Sequence, residues 1–356
     1  MKVLITGACG FVGSSVAAAL RELDEGISIL GMDSFIRPGS ETNRLKLTRL
    51  GVRILHGDLR QPSDFESLPA ADWVIDAAAN PSVLAGVDGR SSSRQLIEHN
   101  LLGTVNLLEY CKQRNAGIIL LSSSRVYSVG ALSSLPLKVC GRRFVIDESR
   151  SLPPGVSAAG IGEEFSTQAP VSLYGSTKLA SETLALEYGA AFGFPVWIGR
   201  CGVLAGAGQM GTAEQGIFSY WVHSHARKQP LRYIGFDGLG YQLRDAFHPA
   251  DLTALLYSQM NDPVKPGARL FNVGGGAANS MSLAELTDWC CQRFGRHAVE
   301  PDPTPRPFDI PWLVMDSAQA AAHFAWKPRR LLPEILEEIA VHAEQNPDWL
   351  RITASS

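Results

Sequence analysis

The stretch Lys2-Val3-Leu4-Ile5-Thr6-Gly7-Ala8-Cys9-Gly10-Phe11-Val12-Gly13 decides how the rest of the chain is read. Val3 to Ile5 is a short apolar run of the kind that forms a buried strand. The run stops at Gly7, and the small residues from Ser14 to Leu20 predict a helix that begins near Gly10. The three glycines have separate duties at such a joint. Gly7 permits the tight turn, Gly10 lets backbone approach a ligand, and Gly13 lets the helix lie close to the strand. The helix N-terminus, with Phe11 and Val12 in its first turn, then offers unpaired N–H groups and a partial positive charge to a pyrophosphate. Any tight strand-to-helix turn needs glycine, so the residues beyond Gly13 must decide.

Those residues have the required order. A second strand, Ile27 to Met32, ends at Asp33, twenty positions after Gly13. An acid there accepts hydrogen bonds from two ribose hydroxyls and repels a 2′-phosphate, which points to NAD rather than NADP. Starting a turn is the other use of Asp33, and nearby Arg37, a candidate cofactor contact itself, blurs the preference. The strand Val52 to His56 stops at Gly57-Asp58-Leu59. Asp58 either reaches an adenine amino group or caps the next turn, and Leu59 beside it is a further candidate. A fourth strand from Trp73 to Ala79 ends in small residues, Ala77 and Ala78 among them, as a cofactor lying across a strand end requires. A long helix is predicted from about Ser93 to Arg114. Asn100 inside it is a poor choice for helicity alone, and so a candidate cofactor contact. The fifth strand, Ile118 to Leu121, runs into Ser122-Ser123-Ser124. Strands and helices alternating at this spacing predict an α/β protein. Its core is a Rossmann-type, doubly wound parallel sheet with ligands at the strand C-termini, joined by a smaller C-terminal α/β substrate lobe. The expected division is 1–180 for the dinucleotide domain and 181–356 mainly for the substrate domain, with segments after 195 returning to the first.

Bulk properties exclude several classes. At 356 residues the chain suits two packed lobes. Its formal net charge of -3, without a basic block, argues against nucleic acid or an anionic membrane as partner. No apolar run approaches membrane-spanning length. The chain enters its first strand at once, leaving no room for a signal peptide, so a cytoplasmic location is expected. The six cysteines, including adjacent Cys290 and Cys291, show no C-x-x-C spacing and read as small buried hydrophobes in a reducing compartment. The eight histidines are scattered, with His223 and His225 too close for one helical face, so no metal is expected.

Regularity breaks between Tyr127 and Ser172, where Gly, Pro and Ser cluster around one strand candidate, Arg143 to Ile146. So long an insertion beside strand tips is more often functional than not. The next helix runs from Tyr174 to about Ala191. Tyr174 and Lys178 are i and i+4 and project from one face. An ammonium beside a phenol favours the phenolate, which makes a base for an alcohol or sugar hydroxyl. Further on, a helix is predicted from about Gln215 to Lys228. Gln242 to Asp251 then opens another, which puts Arg244 just before a helix start. That is a sensible place to hold a diphosphate, though an ion pair with Asp245 or Asp251 is an equal use. Leu270 to Val273 is a strand, Ser282 with Glu285 forms a capping box, and Leu332 to Gln345 is an amphipathic helix.

The residues together resemble the extended short-chain dehydrogenase/reductase superfamily over nearly the whole length. Thr6-Gly7-x-x-Gly10-Phe11-x-Gly13, Asp58, Asn100, Ser122 to Tyr127 and Tyr174-x-x-x-Lys178 fall in its order. A closer resemblance is to the CDP-tyvelose (CDP-paratose) 2-epimerase group. It rests on Asp33-Ser-Phe-Ile-Arg37-Pro-Gly-Ser-Glu-Thr-Asn43, Gly160-Ile-Gly-Glu-Glu-Phe165, Gln209 with Glu214-Gln215-Gly216, and Asn272-Val-Gly-Gly-Gly276 with Asn279-Ser280. The resemblance implies a nucleotide-sugar epimerase that keeps its NAD, oxidises a sugar carbon and returns the hydride from the other side. It implies that Ser123 positions the hydroxyl, that Tyr174 takes its proton, and that Lys178 holds the nicotinamide ribose and tunes the tyrosine. Arg244 and Arg306 would grip the diphosphate of a CDP- or UDP-linked sugar, with Ser124, Arg125, Gln209 and Gln215 as further substrate contacts. Family habit implies a homodimer through a pair of helices per subunit.

Departures from the family pattern cluster at the sugar pocket. Relatives carry Arg-His-Ser-Ser-Met-Tyr-Gly where this chain has Arg200 to Gly206, so Val203 stands where other members place Asn or Ser. Ser128 replaces a Gly, and Asp76 replaces a His. A 4,6-dehydratase needs an acid and a base beside the strand-five hydroxyl, usually Asp-Glu; Ser124 and Arg125 disfavour it. A ketosugar or alcohol dehydrogenase uses the same Ser-Tyr-Lys set and differs in releasing its cofactor each turnover. A non-catalytic dinucleotide sensor typically lacks the Tyr or the Lys, and both are present.

Overall fold

The computed structural model describes residues 1–89, 91–262 and 267–354. Among these, β1 (Lys2–Thr6), α1 (Phe11–Leu23), β2 (Ser28–Asp33), α2 (Thr42–Arg49), β3 (Arg53–His56) and β4 (Trp73–Asp76) form the first half of a doubly wound unit. Then come α3 (Gly103–Arg114), β5 (Gly117–Ser123), α4 (Ser172–Phe192) and β6 (Val196–Cys201), followed by α5 (Ile217–Ala226), α6 (Pro249–Asn261) and β7 (Leu270–Val273). The seven strands lie in the order β7-β6-β5-β4-β1-β2-β3, all parallel. The order reverses between β1 and β4, and a crevice for ligands opens at such a reversal.

Alternation along the strands builds two hydrophobic layers. Val3 and Ile5 of β1 pack with Val16 and Leu20 of α1 and Leu255 of α6, while Leu4 turns to the other face with Leu107, Leu108 and Ile118. A third cluster unites α5, α7 (Leu283–Phe294) and α8 (Leu332–Gln345) through Phe218, Trp221, Leu286, Ile335 and Ile339. The Ser282 capping box on α7 forms as its sequence predicts, with Glu285 N–H donating to Ser282 Oγ at 3.1 Å.

Several elements differ from expectation. The helix predicted from Ser93 to Arg114 is interrupted by a π-helical turn, Glu98–Leu102, which carries Asn100. A single apolar periodicity does not reveal such a turn, and it recurs at functional sites. The candidate strand Arg143–Ile146 pairs with Leu137–Cys140 as an antiparallel hairpin, which puts Cys140 in solvent rather than in the core. Arg244 does not precede a helix start. It lies within the strand Leu243–Phe247, and α6 begins only at Pro249, because His248 Nδ1 accepts the Ala250 N–H and caps the helix there. Among the described residues no helix is long and apolar enough to cross a membrane.

Candidate active site

The turn after β1 is built as its glycines predict. Gly7 has φ 59°, and the Gly10 N–H donates to its carbonyl at 3.0 Å. A Cβ on Gly13 would collide with the Gly7 carbonyl. One on Gly7 would lie 2.9 Å from Ala78 Cα, so the turn and the end of β4 are in direct contact. Ala77 and Ala78 therefore line the crevice, with Phe11 and Val12 half-buried at the start of α1. Asp33 is buried at the tip of β2; its Oδ2 accepts the Cys9 N–H (2.7 Å) and its Oδ1 the Phe35 N–H (2.8 Å). Those bonds fix the carboxylate over the glycine turn. Backbone close enough for a ligand to touch, small strand ends and a pinned acid together fit a dinucleotide.

Other cofactor candidates are placed less simply. Arg37 is half-buried, and burial holds its guanidinium below the ordinary value. The Asp58 carboxylate is taken up by Arg60, at 2.5 Å from Nη2 and 3.0 Å from the backbone N–H. The side-chain bond from Arg60 holds the Asp58 carboxyl below its usual range against a smaller effect of burial. Here Asp58 serves its own turn, while Leu59 packs beside Gly103 and its carbonyl accepts from Asn106 Nδ2 (2.7 Å). Asn100 is buried: its Oδ1 accepts the Asn80 N–H (2.8 Å), and its Nδ2 donates to Thr177 Oγ1 (3.2 Å). It thus joins the end of β4 to α4.

The helix α4 docks along the last residues of β5. Lys178 Nζ, fully enclosed, donates to the Leu121 carbonyl at 3.0 Å, two residues before Ser123. Gly175 faces the Arg125 carbonyl, two residues after Ser123, so closely that a Cβ would collide with it. Between these contacts Tyr174 is buried against Ala85 and Leu96, with Val83 and Leu173 beside it. Ser123 Oγ accepts the Arg125 N–H at 3.2 Å. The three predicted catalytic residues thus come from one helix face and the strand end it rests on.

One turn beyond Lys178 lies a residue the motif does not name. Glu182 accepts from Ser122 Oγ (2.5 Å) and forms a buried ion pair with Arg200 of β6 (2.7 Å). Arg200 Nη1 also donates to the Glu163 carbonyl (3.3 Å) and Tyr127 OH (3.4 Å), and Tyr127 OH donates to Asn272 Oδ1 of β7 (2.7 Å). Burial pushes the Tyr127 phenol up to about 12, which keeps it a donor. The signal was in the spacing: Tyr174, Lys178 and Glu182 recur every fourth residue.

Three arginines, Arg125, Arg244 and Arg306, lie within one another's field. Arg244 Nη1 donates to the Leu243 carbonyl (2.8 Å), and its Nη2 lies 3.6 Å from Asp309 Oδ1, so its ion-pair partner is neither Asp245 nor Asp251. Burial, then the repulsion of Arg125, bring Arg244 down to about 10. Arg125 Nη1 donates to the Phe308 carbonyl (3.2 Å), and Arg306 reaches the Ala213 carbonyl (3.3 Å). Nothing in the local sequence singles out Asp309 as the carboxylate among them. Arg306 also lines a cavity of about 310 Å³ with Ala213, Ile217, Trp221, Arg232 and Gln242. Gln209 and Ser124 are buried, and Gln209 Nε2 donates to the Leu204 carbonyl (2.5 Å). Gln215 is half-buried in the turn closed by Thr212. Guanidinium groups gathered around one carboxylate suit a diphosphate, which binds such forks through paired charged hydrogen bonds.

Comparison with known proteins is consistent with this geometry. The model of the NAD dependent epimerase/dehydratase family matches residues 3–274. CDP-paratose 2-epimerase of Salmonella typhi is 30% identical over 307 residues, covering 82% of this chain and 85% of that protein. UDP-glucuronic acid 4-epimerase from Bacillus cereus, solved with UDP-glucuronic acid and NAD, superposes with a TM-score of 0.75 at 22% identity, covering 97% of this chain and 99% of that one. UDP-glucose 4-epimerase from Bifidobacterium longum, solved with NAD+ and UDP, gives a TM-score of 0.77 at 22% identity, covering 98% of this chain and all (100%) of that one. At these identities the two structures show the fold.

Proposed function

The chain belongs to the NAD-dependent epimerase/dehydratase family, and from that premise we propose that it is a nucleotide-sugar epimerase that keeps one NAD through turnover. The observation that carries the reading is the docking of Tyr174 and Lys178 against the Ser123 strand end. The glycine turn of Gly7, Gly10 and Gly13 and the Asp33 carboxylate would hold NAD, which would supply reversible hydride transfer at the sugar carbon. Ser123 Oγ holds the reacting hydroxyl, Tyr174 removes its proton and gives it back, and Lys178 supplies the charge that makes the phenol a competent base. Arg244 and Arg306 hold the diphosphate, and the cavity beside Arg306 takes the base of a CDP- or UDP-linked sugar. The sugar then lies between the crevice of the 1–180 domain and the 181–356 segments that bring the arginines. The likeness to CDP-paratose 2-epimerase supports inversion at a carbon beside the anomeric one. Val203, Ser128 and Asp76 set the pocket apart from its relatives. Asp76 turns its Oδ1 to Thr6 Oγ1 (2.6 Å) inside the sheet.

The test is to denature the purified protein and identify what it releases by mass spectrometry. About one NAD per chain is expected, and a CDP- or UDP-sugar released with it names the base. An empty cofactor site would replace this reading with a dehydrogenase that exchanges cofactor at every turnover.

Asp33 is the proposed ribose ligand. Asp33→Ala is expected to weaken NAD by about tenfold or more, the value of a charged hydrogen bond, and NADP by less. Calorimetric titration with both dinucleotides decides, because loss of the turn contacts to Cys9 and Phe35 lowers both affinities equally and leaves their ratio alone.

A further inference from the structure

After α8 the chain forms a short helix, α9 (Trp349–Thr353), which runs from the third hydrophobic cluster to the cofactor side of the molecule. Trp349, at its start, is buried: its Nε1 donates to the Gln209 carbonyl at 3.0 Å, and its ring stands 4.9 Å from that of His342 on α8. Thr353, at its end, is wholly buried, and its Oγ1 donates back to the Trp349 carbonyl (2.9 Å). Its methyl rests on the loop after β2, for a Cβ on Gly39 would lie 2.7 Å from Thr353 Cγ2. Both ends of that loop close on one residue of the glycine turn. Asp33 Oδ2 accepts the Cys9 N–H (2.7 Å), and Asn43 Nδ2 donates to the Cys9 carbonyl (2.9 Å). The loop is thus a collar on the turn proposed to hold the pyrophosphate, and it carries Arg37. We propose that α9 is a strap: anchored by Trp349 on Gln209, it holds the 34–43 loop shut through Thr353, and NAD leaves only when that contact breaks. The inference rests on the proposed retention of NAD and gives it a structural cause.

The packing of the loop supports it. Its first residues are anchored, since Phe35 packs against the cluster that contains α1 and stacks on His56 (6.2 Å between rings). Its middle is not. Ile36 is 58% exposed, and the Ser40 hydroxyl beside Gly39 is buried without a hydrogen-bond partner. A buried hydroxyl left unpaired opposes closure, so the closed loop depends on what packs against its backbone. Thr353 supplies that contact, and position 39 needs glycine for it, both for φ 87° and for the close approach. When a segment must open before a ligand can leave, the release rate follows the fraction of molecules in which it is open.

The test follows release directly. NAD-loaded protein is mixed with an excess of isotope-labelled NAD, and the bound label is read by mass spectrometry after rapid desalting. Thr353→Asp puts a charge at a wholly buried position and drives α9 off Gly39, so exchange is expected to quicken by about tenfold or more. Trp349→Phe removes the indole donor alone, and Ser219 Oγ still donates to the Gln209 carbonyl (2.7 Å). A smaller gain of about threefold is expected there, the value of one neutral hydrogen bond. Hydrogen exchange of the 39–42 amides in NAD-free protein is expected to rise in the same order. Far-ultraviolet circular dichroism establishes that each variant is folded, and Trp349→Phe alone decides if Thr353→Asp is not. NAD release at the parent's rate in the folded variants would overturn the inference, whether or not the loop amides respond. Protein that purifies without NAD would end the retention reading alone, because release of added NAD is measured in the same way.

Discussion

Tyr174→Phe is expected to lower turnover of the nucleotide sugar by about a hundred- to ten-thousand-fold, the usual contribution of a positioned acid–base group. The substitution removes one oxygen and leaves the ring packed against Ala85, Leu96 and Leu173, so the helix α4 and its contacts with β5 have no reason to move. NAD is expected to stay bound at about one per chain, since the glycine turn, Asp33 and Lys178 are untouched. The reaction is followed by chromatography of the epimeric nucleotide sugars, starting from the sugar the protein releases on denaturation. Turnover within tenfold of the parent would mean that another group takes the proton. A loss of both turnover and NAD would mean that the phenol helps to hold the cofactor. The ratio of the two losses is therefore the informative quantity.

Why Tyr174 is legible in the sequence, and Asp309 is not, depends on how far each signal reaches. The dinucleotide crevice is encoded locally: Gly7, Gly10 and Gly13 lie within seven residues, and each answers a steric demand of the same turn. Tyr174 and Lys178 are four apart on one helix, so their shared face is a property of helical geometry alone. The parallel, doubly wound sheet is legible as well, since alternating β and α elements leave few parallel topologies. The arginine cluster is different. Arg125, Arg244 and Arg306 come from three distant segments; Asp309 sits in the turn after Arg306, and its pairing with Arg244 is set by the fold and by no local pattern. Arg244 departs from its expected place for a related reason. His248-Pro249 marks a true helix start, but the strand before it is set by pairing with Ser280–Ser282 and Trp312–Leu313, which only the tertiary structure supplies. The π-helical turn at Asn100 is hidden because one extra residue in a turn leaves the apolar spacing almost unchanged.

The Glu182–Arg200 pair carries the largest stability effect. Both side chains are almost wholly removed from water, at 8% exposure for Arg200 and 3% for Glu182, so each charge depends on the other. Arg200→Met would leave the Glu182 carboxylate with Ser122 as its remaining partner, and would also strip a donor from Tyr127 and from the Glu163 carbonyl. Breaking one side of such a pair is expected to cost about 3–5 kcal/mol, measured by chemical denaturation. Replacing both partners, as Glu182→Leu with Arg200→Met, is expected to cost clearly less than the sum of the single changes, because no unpaired charge then remains buried. A single-variant loss below about 1 kcal/mol, the scale of a surface pair, would show that water reaches the site. The pair also connects stability to chemistry. Ser122 adjoins Ser123, and Glu182 stands one turn from Lys178, so the bond that holds β5, β6 and α4 together also sets the distance between the hydroxyl and the ammonium. Damage to it should therefore reach turnover before the chain unfolds.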